Sequence, residues 1–310
     1  MNLSPAEFKK RLLNGLLDLH WKHWTAAGVA SHIEPELRWV IDLEALIAST
    51  IAIGEHDRRL LSVTLEWIIK NGEWVNLSRF KRIARLFTKP SLRMQEPLLS
   101  TKEVNDAIAA LRNSEVHRDG IFSGLRRKGT VTEPGIHQPS LLQLLARALL
   151  GIDARADVLI YLLLNRSGNS NSIAKDVFYD QKNIYRVLEN FTKAAVVTKV
   201  SGNKAGNYSL RDDNIWLTIL GMDKKPEYIN WVKTFLVLDR LAQAISTPSR
   251  SEDEYVLSSL FRDLLNDVQP IARPLAITVP DPGPFPGPKY FVPFASAMLK
   301  ILKTMKEHNE

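Results

Sequence analysis

The sequence predicts a mainly α-helical protein with one small β-hairpin near its middle. Three observations carry this. Apolar residues recur at intervals of three and four through most of the chain, the period of a helix buried on one side. Only the stretch 196–210 changes to β-branched residues and turn chemistry. Glycine and proline punctuate the remainder, and eight of the sixteen prolines fall within 270–293. The 310 residues are 45% hydrophobic and 24% charged, ordinary for a globular protein of two or three domains. There is no cysteine, which excludes disulfides, thiolate metal sites and thiol catalysis.

Residues 1–112 read as a helical domain. Met1 to Lys10 looks like a helix start, not a signal peptide. Leu12, Leu13, Leu16, Leu17 and Leu19 cluster on one face. Residues 41–53 form a nearly continuous apolar helix interrupted by Asp42, Glu44, Ser49 and Thr50 and closed by Gly54. Asp57 can cap the next helix, which Asn71-Gly72 ends. A third runs from Ser78, with Phe80, Ile83, Ala84 and Phe87 at helical spacing, until Pro90. Trp21, Trp24, Trp39, Trp67 and Trp74 crowd this region and read as core.

Residues 113–139 read as a linker or long loop, punctuated by Gly120, Gly124, Gly129, Pro134, Gly135 and Pro139. Residues 226–310 return to helix, over 228–245, 254–268 and 294–306. Between the last two, 270–293 is too rich in proline for helix or central strand and reads as an extended surface strap. The longest apolar run, 158–164, is far shorter than the roughly 20 residues that span a bilayer. The expectation is a cytoplasmic protein without a membrane partner.

The informative segment is 141–220. Two apolar helices, 141–150 and 157–164, precede the turn 165–170. Asn171 or Ser172 caps a short helix with Ile173, Ala174 and Val177 inward. Asp180 can cap the next, in which Ile184, Val187, Leu188 and Phe191 fall at i, i+3, i+4 and i+7. Val196 to Val200 is a strand, 201–207 a glycine-containing turn, and Tyr208-Ser209-Leu210 its returning partner. Helix, short helix, turn, amphipathic helix and hairpin is the layout of a winged helix-turn-helix.

With Ser172-Ile173-Ala174-Lys175, the helix 183–190 and Val196-Val197-Thr198-Lys199, the segment resembles bacterial transcription regulators of the arsenic-repressor and MarR type. The chain departs from that pattern at Ala194-Ala195, where a glycine commonly separates recognition helix from wing. The resemblance covers about 80 of the 310 residues and implies a regulator that binds double-stranded DNA as a homodimer. On this reading Gln181 and Asn183 pair with adenine, Arg186 with guanine, and Tyr185 also faces the bases. Lys182, Lys193, Lys199 and Lys204 bind phosphates, as does Lys175. The helix N-terminal amides at Ser172 and after Asp180 add phosphate contacts. Winged helices also dock proteins, so an interaction scaffold or accessory subunit is the alternative, with the C-terminal helices as a partner surface.

The formal charge of +7 is compatible with a polyanion. Its excess lies in residues 1–220, while 221–310 is neutral. Residues 74–95 contain no acid but six basic residues. Arg79, Arg82 and Arg85 lie three apart, either as a second phosphate-binding face, part of a further helix-turn-helix unit within 57–90, or as a solvated face paired with acids elsewhere. Arg126-Arg127-Lys128 can serve as a minor-groove arm or simply solubilise the loop. His20 and His23 share a helical face, but no metal-ligand motif accompanies them. No phosphate-binding loop, dinucleotide fingerprint or nucleophile elbow occurs, so no enzyme activity and no cofactor are expected.

Overall fold

The computed structural model describes residues 3–35, 37–90, 96–112, 121–122, 124–125, 129–165, 167–200, 206–247 and 253–307. Arg93, the tripeptide 126–128 and Lys204 at the hairpin tip lie outside the described residues. Thirteen α-helices and one three-stranded antiparallel sheet are found among the described residues.

Five helices come first: α1 (Pro5–Ala26), α2 (Leu43–Ala52), α3 (Arg58–Asn71), α4 (Leu77–Phe87) and α5 (Thr101–Leu111). Short polar side chains set their starts. Ser4 caps α1 ahead of Pro5, and Asp57 caps α3. Asp42 does not interrupt a helix over 41–53, as the apolar run suggested. It is the N-cap of α2, accepting from the Ala45 amide at 3.2 Å. Trp24, Trp39 and Trp67 are core residues, and the Trp67 indole donates to the Ala27 carbonyl at 2.7 Å.

The C-terminal helices are α11 (Trp231–Ser246), α12 (Glu254–Ala272) and α13 (Phe291–Lys306). They share one hydrophobic core with α1–α5. Helix α1 lies against α13 and α11, and α2 against α4 and α11. Phe8 of α1 meets Phe261 and Phe291 edge-on at 5.7 and 5.9 Å. The strap is shorter than proline content implied. Pro270 sits within the last turn of α12, where few amide bonds are lost, and Pro293 lies in the first turn of α13, where its missing N–H costs nothing. The stretch between is tied down: Arg262 donates to the carbonyls of Phe285 and Gly287 at 2.7 and 2.8 Å, and Tyr290 to that of Pro280 at 2.8 Å.

The described end of the 113–139 stretch is also fixed. Val131 is buried and bridges Val29, with Thr132 donating to the Gly28 carbonyl at 2.8 Å. This end also meets α3, where Lys70 donates to the Val131 carbonyl at 2.9 Å.

A second core is built by α6 (Leu142–Leu150), α7 (Ala154–Asn165), β1 (Ser167–Gly168), α8 (Ser170–Val177), α9 (Gln181–Lys193), β2 (Val197–Val200), β3 (Asn207–Leu210) and α10 (Asp213–Ile219). Residues 165–170, expected as a turn alone, contain β1. It completes the sheet in the order β1-β3-β2, pairing Gly168 with Tyr208. Gly168 permits this closeness: a Cβ there would lie 2.9 Å from Ile173 Cγ1 and 3.1 Å from Tyr161 Cε1. The cap of α8 is Asn169, not Asn171 or Ser172, and Ser172 closes a capping box with it.

Candidate nucleic-acid interface

Helix α9 turns the expected stripe inward. Ile184, Val187, Leu188 and Phe191 are buried against α7 and α8. Asp180 caps it, accepting from the Lys182 amide at 2.9 Å. Burying that stripe fixes the rotation of the helix, so the opposite face is solvent-facing by necessity. Gln181, Lys182, Arg186 and Lys193 are exposed there, Asn183 is half-buried, and the Tyr185 ring is 47% exposed. Arg186 reaches back to Asn183 Oδ1 at 3.4 Å. It edges a groove of about 200 Å³ between α9 and the start of α7, where Arg155 is paired with Asp153 at 2.9 Å. Arg155 joins this surface through the packing of α7 on α9, which no local pattern announces.

The hairpin is joined to α9 by a polar triad. Glu189 accepts from Lys199 Nζ at 2.9 Å and from the Tyr208 hydroxyl at 2.7 Å. These two hydrogen bonds hold the Glu189 carboxyl below the usual carboxylate range. The Lys199 ammonium is raised above its usual range by the same partners. It also stands 5.3 Å from the centre of the Tyr208 ring and 5.9 Å from that of Tyr185. Lys199 is thus already engaged by a carboxylate, and its ammonium also fixes the hairpin to α9.

The helix-terminal amides are engaged too. Those of Asn171 and Ser172 donate to Asn169 Oδ1 at 3.0 and 2.9 Å, and the Ser172 hydroxyl closes the box. The caps thus occupy the Asn171, Ser172 and Lys182 amides, which are among those expected to meet phosphates. Lys175 is exposed on α8.

Arg79 requires a correction. It is not on a solvent-facing basic stripe but is 4% exposed. Its guanidinium donates to both oxygens of Asp42 at 2.7 and 2.6 Å, to Glu44 Oε2 at 2.6 Å and, through Nε, to the Val177 carbonyl at 2.8 Å. The reason is desolvation: the first turn of α4 lies in the seam between the cores, where a guanidinium persists only beside carboxylates. Arg82 and Arg85 remain exposed on α4.

Arg79 belongs to a buried ionic cluster that bridges the two cores. Arg147 of α6 donates to Glu44 at 2.7 and 3.0 Å and to the Trp74 carbonyl at 2.8 Å, and approaches Asp157 at 3.3 Å. Asp157 also accepts from Tyr179 at 2.7 Å and Gln143 at 3.0 Å. Burial pushes the Asp157 carboxyl up, but Arg147, Arg79 and these hydrogen bonds outweigh it and leave it below the usual range. Burial and the Asp157 charge push the Tyr179 hydroxyl up, so it stays a donor. Tyr179 lies in the three-residue connection between α8 and α9, so the cluster pins that turn to α2 and α4. The only sequence signal was a charge embedded in each apolar helix: Glu44 and Arg147 alone in theirs, and Asp157 two residues after Arg155.

Among the described residues no group of three His, Asp or Glu side chains is placed to hold a metal ion. No described helix is long and apolar enough to cross a membrane. Comparison with protein-family models, curated proteins and solved structures gives no match.

Proposed function

We propose that residues 141–220 form a winged helix-turn-helix that binds double-stranded DNA as the reading head of a transcriptional regulator. Helix α9 enters the major groove and the β2–β3 hairpin lies on the phosphate backbone. The observation that carries this reading is the outer face of α9. Gln181, Lys182, Tyr185 and Arg186 are exposed on its first two turns, with the half-buried Asn183 among them. The helix contains one carboxylate, Glu189, and Lys199 and Tyr208 hold it. A helix about 10–12 Å across matches the width of the major groove. Arg186 offers the two-pronged donor set that suits guanine, and Gln181 and Asn183 the paired donor and acceptor that suit adenine.

Gel-shift selection from a pool of genomic duplex fragments tests this. The wild-type protein retains a subset of fragments, and Arg186→Ala binds those fragments more weakly by about 1–3 kcal/mol. Equal, unselective binding by both proteins contradicts the reading.

A homodimer is supported by α10. Ile215 and Ile219, one turn apart on the helix that follows the hairpin, are 56% and 53% exposed. Apolar side chains paired in this way suit a contact with a second copy. Sedimentation of Ile215→Glu/Ile219→Glu should give a monomer where the parent gives a dimer. A parent that is itself monomeric removes this part of the proposal.

A further inference from the structure

A second region carries an unspent recognition chemistry, far in sequence from α9. A cavity of about 370 Å³ opens between the end of α2, helix α11 and the segment leading into α5. That volume is in the range of small-molecule sites. Its lining is strongly acidic, with Glu55, Glu96, Glu103 and Asp239 among its walls. Among the described residues the one basic group of the lining is His56, which lies 3.6 Å from Glu55.

Charge alone would make this a solvated acidic patch. Asp239 makes it more. This residue is 2% exposed, yet both of its carboxyl oxygens lack a hydrogen-bond partner among the described residues. It faces the Ser49 hydroxyl, but that hydroxyl is bonded to His20 Nε2 at 2.8 Å and forms no well-directed bond with the carboxyl. Two further cavity-lining atoms, Gln243 Oε1 and Ser246 Oγ, are buried and likewise without partners. Two carboxyl oxygens, an amide oxygen and a hydroxyl oxygen thus line one cavity without donors. Buried polar atoms left in this state cost roughly 1–3 kcal/mol each, so such a set points to a partner that donates.

We infer that this cavity binds a small organic cation, an alkyl ammonium whose N–H groups satisfy Asp239, Gln243 and Ser246. An ammonium brings three donors and no acceptor, which is what the orphaned oxygens need. The carboxylates do not converge as a metal site requires, and no metal-holding group is found among the described residues. The apolar wall from Ile51, Leu98 and Ala242 suits the alkyl part of the ligand. Glu55, Glu96 and Glu103 draw the cation in and can hold a second amine. Burial holds the Asp239 carboxyl well above the usual range, against the opposing pull of the Ser49 hydroxyl. An ammonium at hydrogen-bond distance favours its ionised form. This site does not depend on whether α9 binds DNA.

Titration calorimetry of the full chain with cadaverine, and with the diol of the same carbon chain, tests the inference at matched ionic strength. Cadaverine should bind and the diol should not, because the alcohol lacks the charge. Asp239→Asn should weaken cadaverine binding by at least about tenfold, the loss of one charge-assisted hydrogen bond. Ser246→Leu, which fills part of the cavity from its edge, should abolish binding without touching the carboxyl and decides the matter if Asp239→Asn does not fold. The absence of cadaverine binding, equal binding of the diol, or undiminished binding by the variants overturns the proposal.

Discussion

Ala195 adopts a left-handed backbone with φ of 58°, directly after α9. It is one of the two alanines at the junction of helix and hairpin, where a glycine was expected. An alanine in this conformation carries a backbone cost of about 1–2 kcal/mol from its Cβ. Ala195→Gly should therefore raise the unfolding free energy by roughly 1 kcal/mol, less the extra entropy that glycine gives the unfolded chain. Urea unfolding measures it, and a loss of stability would contradict it. Other single-residue features were invisible beforehand. His20 and His23 read as a pair on one helical face, but both are buried between α1, α2 and α11. Burial lowers His20 to about 4 despite its bond to the Leu16 carbonyl. Burial and the neighbouring His20 also hold His23 well below its usual value. Both are neutral when folded and protonate near pH 6.5 when unfolded, so stability falls as pH drops from there toward about 4. The His20 share is on the order of 3 kcal/mol. Asp239, raised on folding, works in the opposite direction over the acid range. Neither ring nitrogen of His23 has a partner among the described residues. Replacing it with leucine should hold stability near pH 7 and flatten the acid loss, and an unchanged pH slope would contradict this.

Among the elements, α9 was the most legible. Its four-residue stripe and Asp180 cap are local signals, and both stand where the periodicity put them. Helix α8 was legible in type but not in its start, because Asn169 is followed by Ser170, Asn171 and Ser172, all good capping residues, and geometry chose among them. Asn169→Ala should cost about 1 kcal/mol, since the Asn171 and Ser172 amides would both lose their acceptor. Thermal unfolding reports it, and an unchanged midpoint would show the cap to be dispensable. β1 escaped notice because two residues carry no period, and only the return of β3 makes them a strand. The ends of the proline-rich stretch misled for a physical reason. Proline is excluded from helix interiors but tolerated in a first turn and near a last one, which is where Pro293 and Pro270 lie.

At the scale of the whole molecule, the helices before residue 112 and after 226 form one core, a union that no local pattern encodes. The ionic cluster joining that core to the α6–α10 unit was equally hidden. Glu44 meets Arg79 and Arg147 from 35 and 103 positions away. Only the charges embedded in apolar helices hinted at it. Three carboxylates, of Asp42, Glu44 and Asp157, face two guanidiniums, with Tyr179 and Gln143 filling remaining positions. Removing one cation leaves a buried carboxylate uncompensated. Arg147→Ala should therefore lower stability by about 3–5 kcal/mol in urea unfolding, and a loss under about 1 kcal/mol would show that water compensates the site. Because the cluster grips Tyr179 between α8 and α9, it holds the presentation of α9 to the rest of the protein. That presentation is what a groove-reading helix needs. Methylation protection at guanine N7, an atom of the major groove, tests it most directly on a gel-shift-selected duplex. The account predicts a short protected run of guanines that Arg186→Ala exposes again. Uniform methylation with the wild-type protein bound, or protection confined to minor-groove atoms, would contradict it.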